Sequence, residues 1–201
     1  MLGALLVSES DPGPRLARIV EVEAYVGLED HASHAHRGRT ERNAVMFGPP
    51  GRAYVYLVYG MYECLNVVTQ AQGTPAAVLV RAVEAVSGAE AMRQSRIDRL
   101  IARGRNWPAD RLGRERVRIA GLPEARLASG PGLVCAAMSI GRNDNGGDLC
   151  DPSLSLRLER DELAAGAAVE SGPRVGIGYA PEPWLSNAWR FWLAGNAAVS
   201  R

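Results

Sequence analysis

Three β-rich runs joined by short connections constrain the fold of this chain more than any other feature. Residues 53–59 (AYVYLVY) and 61–69 (MYECLNVVT) are rich in β-branched and aromatic residues, and Gly60 between them is a typical turn residue. A third run, 76–83 (AAVLVRAV), follows after a short stretch of small and polar residues. Strands that follow one another through tight turns pair antiparallel, so the sequence predicts an antiparallel meander.

The segment ahead of the meander has the alternation of a strand. Polar and apolar positions alternate through residues 17–25 (ARIVEVEAY). The alternation places two carboxylates and a tyrosine on one face and three apolar residues on the other: Glu21, Glu23 and Tyr25 against Val20, Val22 and Ala24. Residues 26–52 are polar and rich in Gly and Arg, and they predict a long irregular loop closed by the turn residues 48–51 (GPPG).

Helical patterns and further short strands follow the meander. The predicted helices cover about 84–104 and 132–140, and the predicted strands lie near 153–159, 174–179 and 189–194. No internal repeat or low-complexity segment interrupts the chain. We therefore expect an α+β (mixed α/β) protein, a single domain over 1–201 built on an antiparallel sheet.

The basic residues restrict the chemistry. The chain has 201 residues, which is enough to bury one core, and all 23 of its basic residues are arginines. A Schiff base needs a primary amine, so in the absence of lysine an imine mechanism could use only the α-amino group. Arginine enrichment is also what a GC-rich genome produces. Whatever its origin, the composition favours hydrolysis over covalent amine catalysis.

Charge, cysteines and motifs exclude several other classes. The net charge is only +1, so a phosphate-binding face would need local clustering of arginines. Three cysteines without CxxC spacing favour reduced thiols over disulfides or structural zinc. No GxGxxG, Walker, GxSxG or HExxH sequence occurs, and no apolar run approaches the ~20 residues of a membrane span. We expect a soluble, cytoplasmic protein.

Glu23 is the first candidate for chemistry. A carboxylate on an otherwise apolar strand, next to Tyr25 and partly buried, can have its pKa tuned for general-base work. The alternative is a solvated glutamate on the open face of a sheet, which is the commoner situation.

The loop histidines have two interpretations. His31, His34 and His36 (DHASHAH) could converge on a metal ion, or a loop histidine could bind a phosphate or a backbone carbonyl. Three nearby arginines make phosphate contact the more plausible role: Arg37, Arg39 and Arg42. A solvated basic loop remains the simplest alternative.

The tyrosines of the meander indicate a nucleic-acid surface. Alternation places Tyr54 and Tyr56 on one face, and Tyr59 falls at the Gly60 turn, where there is little core to fill. Exposed aromatic residues near arginines can stack on bases or wedge into a duplex. Ordinary strand packing explains Tyr54 and Tyr62 equally well.

Four sequence elements together resemble the alkyladenine (3-methyladenine) DNA glycosylase family. These are EAY, RN-x-x-MFG, YVY-x-x-YGMY-x-x-x-N and RVG-x-G, in this order and at family-like spacing over nearly the whole chain. The resemblance implies a curved antiparallel sheet with helices around it and a β-hairpin that inserts into DNA. It also implies hydrolytic removal of alkylated or deaminated purines without a cofactor, leaving an abasic site.

The resemblance also implies roles for individual residues. Glu23 resembles the general base that activates water, and Arg81 and the backbone carbonyl of Val175 match positions that orient it. The implied base pocket consists of Tyr25, His34, Tyr56 and Asn66, of which Asn66 would reject normal guanine. The implied DNA contacts are the intercalating Tyr59, Met61 beside it, and the loop arginines Arg37, Arg39 and Arg42, which serve where the family often has lysine.

Two other functions fit parts of the sequence. A non-catalytic module that binds damaged DNA would use Tyr59 and the arginines without needing Glu23. A metal hydrolase built on the loop 26–52 that carries the three histidines, called the histidine loop below, would leave the aromatic hairpin unexplained. The expected partner is double-stranded DNA with a damaged purine, bound by a monomer that associates with the bacterial nucleoid and not with a membrane. Segment 104–128 matches the family poorly, and no role is assigned to it.

Overall fold

A long central strand organises the sheet in the computed structural model, which describes residues 1–161 and 166–200. This strand, β2 (Gly13–Val26), pairs along one edge with β5 (Ala76–Ser87). On its other edge, the N-terminal half pairs with β1 (Leu5–Ser10) and residues 21–23 pair with β8 (Arg190–Leu193). One strand therefore joins the N-terminal, central and C-terminal parts of the chain.

The predicted meander is confirmed. Strands β3 (Ala53–Val58), β4 (Tyr62–Val68) and β5 pair in sequence order, and all pairs are antiparallel. The sheet order is β3-β4-β5-β2-β1-β6, where β6 covers Leu156–Glu159, and β7 (Val169–Gly172) pairs with β8. The sheet curls into a half-barrel with helices packed around it, which confirms the predicted α+β class.

Among the described residues, three helices pack around the sheet: α1 (Ala89–Arg103), α2 (Ala109–Ala120) and α3 (Pro131–Ala137). The main core lies between the sheet and helices α1 and α3, which bury Met92, Val134 and Cys135 against strand residues such as Leu65 and Val80. Helix α2 is peripheral, and Ile119 is its buried residue. In the part of the chain that the structure describes, no helix combines the length and apolar character needed to span a membrane.

A β-bulge in β2 changes the predicted alternation. The register with β5 shifts on both sides of Glu21, and Ile19 and Val22 both pack in the main core although they are three residues apart. Val20 instead packs with Ala82 and Leu193 on the opposite side, so grouping Val20 with Val22 was wrong. An extra residue at a bulge inverts the alternation beyond it. Glu21 lies at the bulge itself, and Glu23 and Tyr25 lie after it, where the alternation resumes.

Several boundaries differ from the sequence-based expectation. Strand β5 extends to Ser87, and helix α1 begins only after Gly88, which has a φ of 77°. Residues 174–179 do not form a strand, because Arg174 is buried in an ion pair and Gly176 adopts a φ of 79°. Helix α2 lies within the segment that matched the family poorly and was not predicted, nor was β7. As expected, residues 26–52 form an irregular loop, with one short 3-10 turn at Ala44–Phe47.

Candidate active site

The main candidate site is a cavity of about 500 Å³ at the open side of the curled sheet. Strands β2 to β5, the histidine loop and the segment after β7 all contribute to its walls. Its aromatic and polar walls include Tyr25, His34, Tyr56, Asn66, Arg81 and Val175. A volume in this range suits a small ligand. The structure thus brings together eight of the predicted site residues from separate strands and loops: the six named above, Arg42 and Tyr59.

Glu23 lies directly behind this wall. Its side chain is fully buried, and the three residues that hold it border the cavity. The amide of Val175 donates to Oε1 at 2.7 Å, the Tyr25 hydroxyl donates to Oε2 at 3.0 Å, and Nη1 of Arg81 lies 3.2 Å from Oε1. The sequence-based expectation named the carbonyl of Val175, whereas the contact with Glu23 is made by its amide. Each carboxylate oxygen accepts about two hydrogen bonds, so Oε2 keeps an acceptor position.

Arg81 reaches Glu23 from the neighbouring strand β5. Its Nε donates to Oε1 of Glu21 at 2.8 Å, which places the guanidinium between two buried carboxylates. Burial opposes the charged form, but the negative charges of Glu23 and Glu21 outweigh it and raise the pKa of Arg81. Arg81 is therefore a charged guanidinium beside Glu23 at neutral pH.

The aromatic residues of the cavity are neutral at physiological pH. Burial is the main cause that raises the pKa of Tyr25 and Tyr56, and it raises the pKa of Tyr54 to about 12. The rings of Tyr54 and Tyr56 lie 5.2 Å apart between centroids, which confirms that they share a face. Neutral aromatic rings present electron-rich faces to the cavity, and such faces attract flat and cationic ligands.

His34 is the histidine that reaches the cavity. Its Nδ1 lies 3.0 Å from the Tyr54 hydroxyl, and its ring meets that of Tyr56 edge-on at 4.4 Å. Burial, with a further contribution from the positive charge of Arg42, lowers the pKa of His34. His34 is therefore a neutral imidazole at pH 7, with one nitrogen that donates and one that accepts.

The other two histidines point elsewhere. His31 and His36 stack on each other with centroids 3.9 Å apart, and Trp184 stacks on His31. The Nδ1 of His36 contacts the carbonyl oxygen of Leu28 at 2.9 Å. Among the residues that the structure describes, no three His, Cys, Asp or Glu side chains are arranged to hold a metal ion. The loop histidines do not converge on one point.

Asn66 lies in β4, opposite Tyr54 in β3. It is buried, and its Nδ2 donates to the carbonyl oxygen of Tyr54 at 3.2 Å. This bond fixes the amide plane at the wall of the cavity, where a polar group selects ligands by their hydrogen-bonding pattern.

The tip of the β3–β4 hairpin projects from the rim of the cavity. Tyr59 is 86% exposed and Met61 is 52% exposed. The amide of Met61 donates to the carbonyl oxygen of Val58 at 3.0 Å, and the turn residues Tyr59 and Gly60 have φ values of 51° and 68°. Positive φ is unfavourable for a tyrosine, and such strain often marks a functional position. The predicted tip position of Tyr59 is confirmed.

The three predicted loop arginines differ in their placement. Arg42 borders the cavity, lies 5.7 Å above the ring of Tyr56 and donates to the carbonyl oxygen of Leu57. Arg37 and Arg39 are exposed, and they do not line the cavity. They place positive charge on the loop beside it.

A buried ion pair that was not predicted fixes Val175. The Arg174 guanidinium binds Asp30 in the histidine loop with distances of 2.6 and 2.8 Å, and both side chains are fully buried. Arg174 also lies over the ring of Tyr25. Breaking a buried pair is costly, so this contact holds the segment of Val175 against the loop, and a hydrogen bond from Arg174 to the carbonyl oxygen of Ala24 ties it to β2. The sequence offered only a weak indication of this pair, because Asp30 and Arg174 each stand in a Gly-rich segment with nothing to mark them as partners.

Fold and site together define a single-domain α+β protein with an aromatic cavity, a buried carboxylate at its back and a strained aromatic hairpin at its rim. A family model described as methylpurine-DNA glycosylase (MPG) matches residues 1–197. The chain therefore belongs to the methylpurine-DNA glycosylase family, and this membership identifies it as a DNA glycosylase.

Relatives with similarity over the full chain agree with this assignment. A protein of Methanocella arvoryzae is 43% identical, covering 100% of this chain and 88% of its own length. One from Anaeromyxobacter dehalogenans is 43% identical over 100% of this chain and 79% of its own, and one from Frankia casuarinae is 45% identical over 98% and 84%. All three carry the name "Putative 3-methyladenine DNA glycosylase".

Proposed function

We propose that this protein flips alkylated or deaminated purines out of duplex DNA and hydrolyses their N-glycosidic bond, with Glu23 as the general base. The observation that supports this most directly is a fully buried carboxylate held by Arg81, Val175 and Tyr25 at the back of an aromatic cavity. A carboxylate fixed in this way can orient one water molecule and accept its proton. The lesion class comprises 3-methyladenine, 7-methylguanine, hypoxanthine and ethenoadenine.

The chemical step needs one water and no covalent intermediate. The water oxygen forms a bond to C1′ of the flipped nucleotide while the bond from C1′ to the purine nitrogen breaks. The purine leaves with the bonding electron pair, and a water proton passes to Oε2 of Glu23, the oxygen with a remaining acceptor position. The products are a free purine and an abasic site.

The neutral aromatic cavity favours cationic lesions. A purine methylated at N3 or N7 carries a positive charge, so it is attracted to the faces of Tyr25 and Tyr56 and leaves as a neutral base. Hypoxanthine is neutral and leaves readily only after a ring nitrogen is protonated. We therefore expect methylated purines to be removed faster than hypoxanthine. His34 and Asn66 supply the hydrogen bonds that orient the base and exclude the exocyclic amine of normal guanine.

When a nucleotide flips out of the duplex, a side chain must fill the space that it leaves in the base stack. The exposed ring of Tyr59 projects next to the cavity, and Met61 lies beside it. Insertion of an apolar wedge into a base step compensates the lost stacking and stabilises the flipped state. We expect the protein to act as a monomer.

The decisive experiment is single-turnover excision from duplexes with one N-methylated purine, one hypoxanthine or one ethenoadenine. We expect excision by the wild type, its loss in Glu23→Gln, and no effect of a chelator. Glu29→Gln is the matched control, because Glu29 is an exposed glutamate in the loop that follows β2. Binding of lesion duplexes without excision by the wild type would favour the non-catalytic binding module instead.

The lack of lysine predicts a monofunctional enzyme. Without a side-chain primary amine in this sequence, an imine with the sugar could form only at an α-amino terminus. We expect no covalent complex when borohydride is added during a reaction with lesion DNA, and an uncut abasic strand as product. Efficient trapping would identify an amine nucleophile and contradict the hydrolytic mechanism.

A further inference from the structure

The chain carries a concentrated positive charge outside the candidate active site. Residues 89–120, which comprise α1, α2 and their connection, hold nine arginines and four acidic residues, a net charge of +5 in a chain whose total is +1. We refer to residues 89–120 as the helical arm. The rest of the molecule is therefore net negative, and the charge is segregated in one structural unit.

The helical arm packs directly against the hairpin that carries Tyr59. The guanidinium of Arg103, the last residue of α1, lies 4.7 Å from the ring centroid of Tyr62, and Arg99 donates to Glu63 at 2.8 Å. A groove of about 480 Å³ runs between the hairpin residues 60–62 and the arm residues Arg103, Trp107 and Arg118. The base cavity lies on the other side of the tip, with Tyr59 and Arg42 in its wall.

Six of the nine arginines of the arm fall into two groups, and the other three form ion pairs with acidic residues: Arg103, Arg114 and Arg118. Arg93 and Arg96 donate to backbone carbonyl groups of residues 119–127, and Arg99 binds Glu63, so these three hold the arm to the domain. Another three are exposed and have no ion pair within the described residues: Arg105, Arg111 and Arg116. Arg111 stacks on Trp107 at 3.9 Å, which orients its guanidinium without neutralising it.

We propose that the helical arm is a second phosphate-binding surface, which holds the DNA backbone on the side of the hairpin away from the base cavity. The proposal rests on the proposed function in taking DNA as the ligand. Charge complementarity supports it, because exposed guanidinium groups that lack a carboxylate partner are free to bind phosphates. Phosphate contacts fix the register of a protein on the duplex, so contacts beside the hairpin would hold an inserted wedge at one base step.

The salt dependence of binding to undamaged duplex DNA tests this surface. Each phosphate contact contributes a slope of about −0.9 to log K against log salt concentration. We expect the slope to become shallower by about 0.9 for each residue changed when Arg105, Arg111 and Arg116 are replaced by Gln singly and together. Arg160→Gln is the matched control, since Arg160 follows β6 at the opposite edge of the sheet and should leave the slope unchanged.

The possible outcomes separate this proposal from the proposed function. A triple variant with the slope of Arg160→Gln would overturn the second phosphate-binding surface while leaving the glycosylase intact. A wild type that fails to bind duplex DNA would overturn both. A directional test uses duplexes shortened on one side of the lesion. When the shortened side is the one that the arm binds, the wild type should lose affinity and the triple variant should not. Equal losses for both proteins would contradict the placement.

A second inference concerns how Arg81 is oriented. All three nitrogens of its guanidinium are engaged: Nε binds Glu21, Nη2 binds the Ser200 hydroxyl at 3.1 Å, and Nη1 faces Glu23. The contact with Glu23 is an ion pair at 3.2 Å without a hydrogen bond in the structure, whereas those with Glu21 and Ser200 are hydrogen bonds. The orientation of Arg81 is therefore set by Glu21 and Ser200.

Glu21 is the centre of this network. Its fully buried carboxylate accepts from the amide and hydroxyl of Ser200 at 2.6 and 2.8 Å and from Nε of Arg190 at 2.7 Å. Arg190 also donates to the carbonyl oxygen of Ser200. The C-terminal segment is thereby fastened to the strand that carries Glu23, two residues further along.

The geometry points to Glu21 and Ser200 as positioning residues for the excision reaction, acting through Arg81 on Glu23. Glu21 shares the charge of Arg81, so the arginine can orient Glu23 without forming a full hydrogen-bonded pair with it. A carboxylate that is oriented but not fully paired keeps an oxygen available as a base. This inference rests on the proposed function of Glu23.

Ser200→Ala tests the network, with Ser200→Thr as the rescue variant. We expect Ser200→Ala to lower the single-turnover rate constant about fivefold or more, with the affinity for lesion DNA retained, and Ser200→Thr to recover most of the rate. A purely structural role would lower the melting temperature and the fraction of active enzyme without changing the rate constant of the active fraction.

The control is Ser155→Ala, because Ser155 is exposed. Its hydrogen bond with the amide of Glu9 is accepted by the backbone carbonyl oxygen, which the substitution leaves in place. A wild-type rate constant in Ser200→Ala would overturn the positioning role. If the wild-type protein itself does not excise lesions, the proposed function is refuted instead.

Discussion

The hydroxyl of Tyr25 donates a hydrogen bond to Oε2 of Glu23 at 3.0 Å, so one residue contributes both a ring to the cavity wall and a donor to the carboxylate behind it. Burial, with an added contribution from the charge of Glu23, raises the pKa of Tyr25. Tyr25 therefore keeps its proton at neutral pH. In the proposed mechanism, binding of the base and orientation of Glu23 are therefore coupled through this side chain.

Replacing Tyr25 by phenylalanine should separate these two roles. The ring remains, so the affinity for lesion DNA should be retained, but the loss of a hydrogen bond to a charged group costs about 1.5–3 kcal/mol. We expect excision to slow by about tenfold or more, as measured by single-turnover kinetics. Tyr25→Ala should weaken binding as well. If Tyr25→Phe excises as fast as the wild type, the hydroxyl does not orient Glu23.

Tyr59→Ala should impair flipping without unfolding the protein. The side chain of Tyr59 is 86% exposed, so its removal leaves no cavity in the core. We expect slower excision from duplex DNA and an unchanged rate from a single-stranded lesion oligonucleotide, where no stacked partner strand has to be opened. Tyr59→Gly should be at least as stable as Tyr59→Ala, because glycine adopts positive φ without strain. Unchanged excision from duplexes would refute the wedge assignment.

The charge of Glu21 should make the stability depend on pH in the acid range. Burial favours the neutral form, but hydrogen bonds from Ser200 and Arg81 outweigh it and lower the pKa of Glu21 below its ordinary value of 4.5. A carboxyl group with a lowered pKa contributes stability above its ordinary value, and this contribution is lost as the pH falls through the lower, folded-state value.

Urea unfolding of the wild type and Glu21→Gln at several pH values measures this contribution. At pH 7 we expect the variant to be less stable by about 3–5 kcal/mol, because the partners of Glu21 lose a buried charge. The difference should shrink as the pH falls below 4.5. A difference that stays constant down to pH 3 would contradict the role assigned to the charge of Glu21.

The protonation of His34 should respond to Arg42. Burial is the larger cause of its lowered pKa and the charge of Arg42 the smaller, so Arg42→Gln should raise the pKa of His34 without restoring the ordinary value of 6.5. NMR titration of the imidazole measures the shift. Arg39→Gln is the control, because Arg39 is an exposed arginine of the same loop. Identical titration curves for Arg42→Gln and the wild type would show that Arg42 does not act on His34.

The sequence by itself determined the features that depend on local patterns. Strand alternation and turn chemistry act over a few residues, so the meander, the exposed tip at Tyr59 and the shared face of Glu21, Glu23 and Tyr25 were all predictable. The family resemblance added the identity of the cavity residues, and the structure brings Tyr25, His34, Tyr56 and Asn66 to one cavity.

Tertiary structure decided how the carboxylates are held. The β-bulge beside Glu21 removed Val20 from the face of Val22, and a bulge reflects the fit between paired strands, which no single segment encodes. Asp30 and Arg174 pair across 144 residues, and Glu21 and Ser200 across 179. Buried charges must find partners wherever the fold places them, and in this protein those partners come from the far end of the chain.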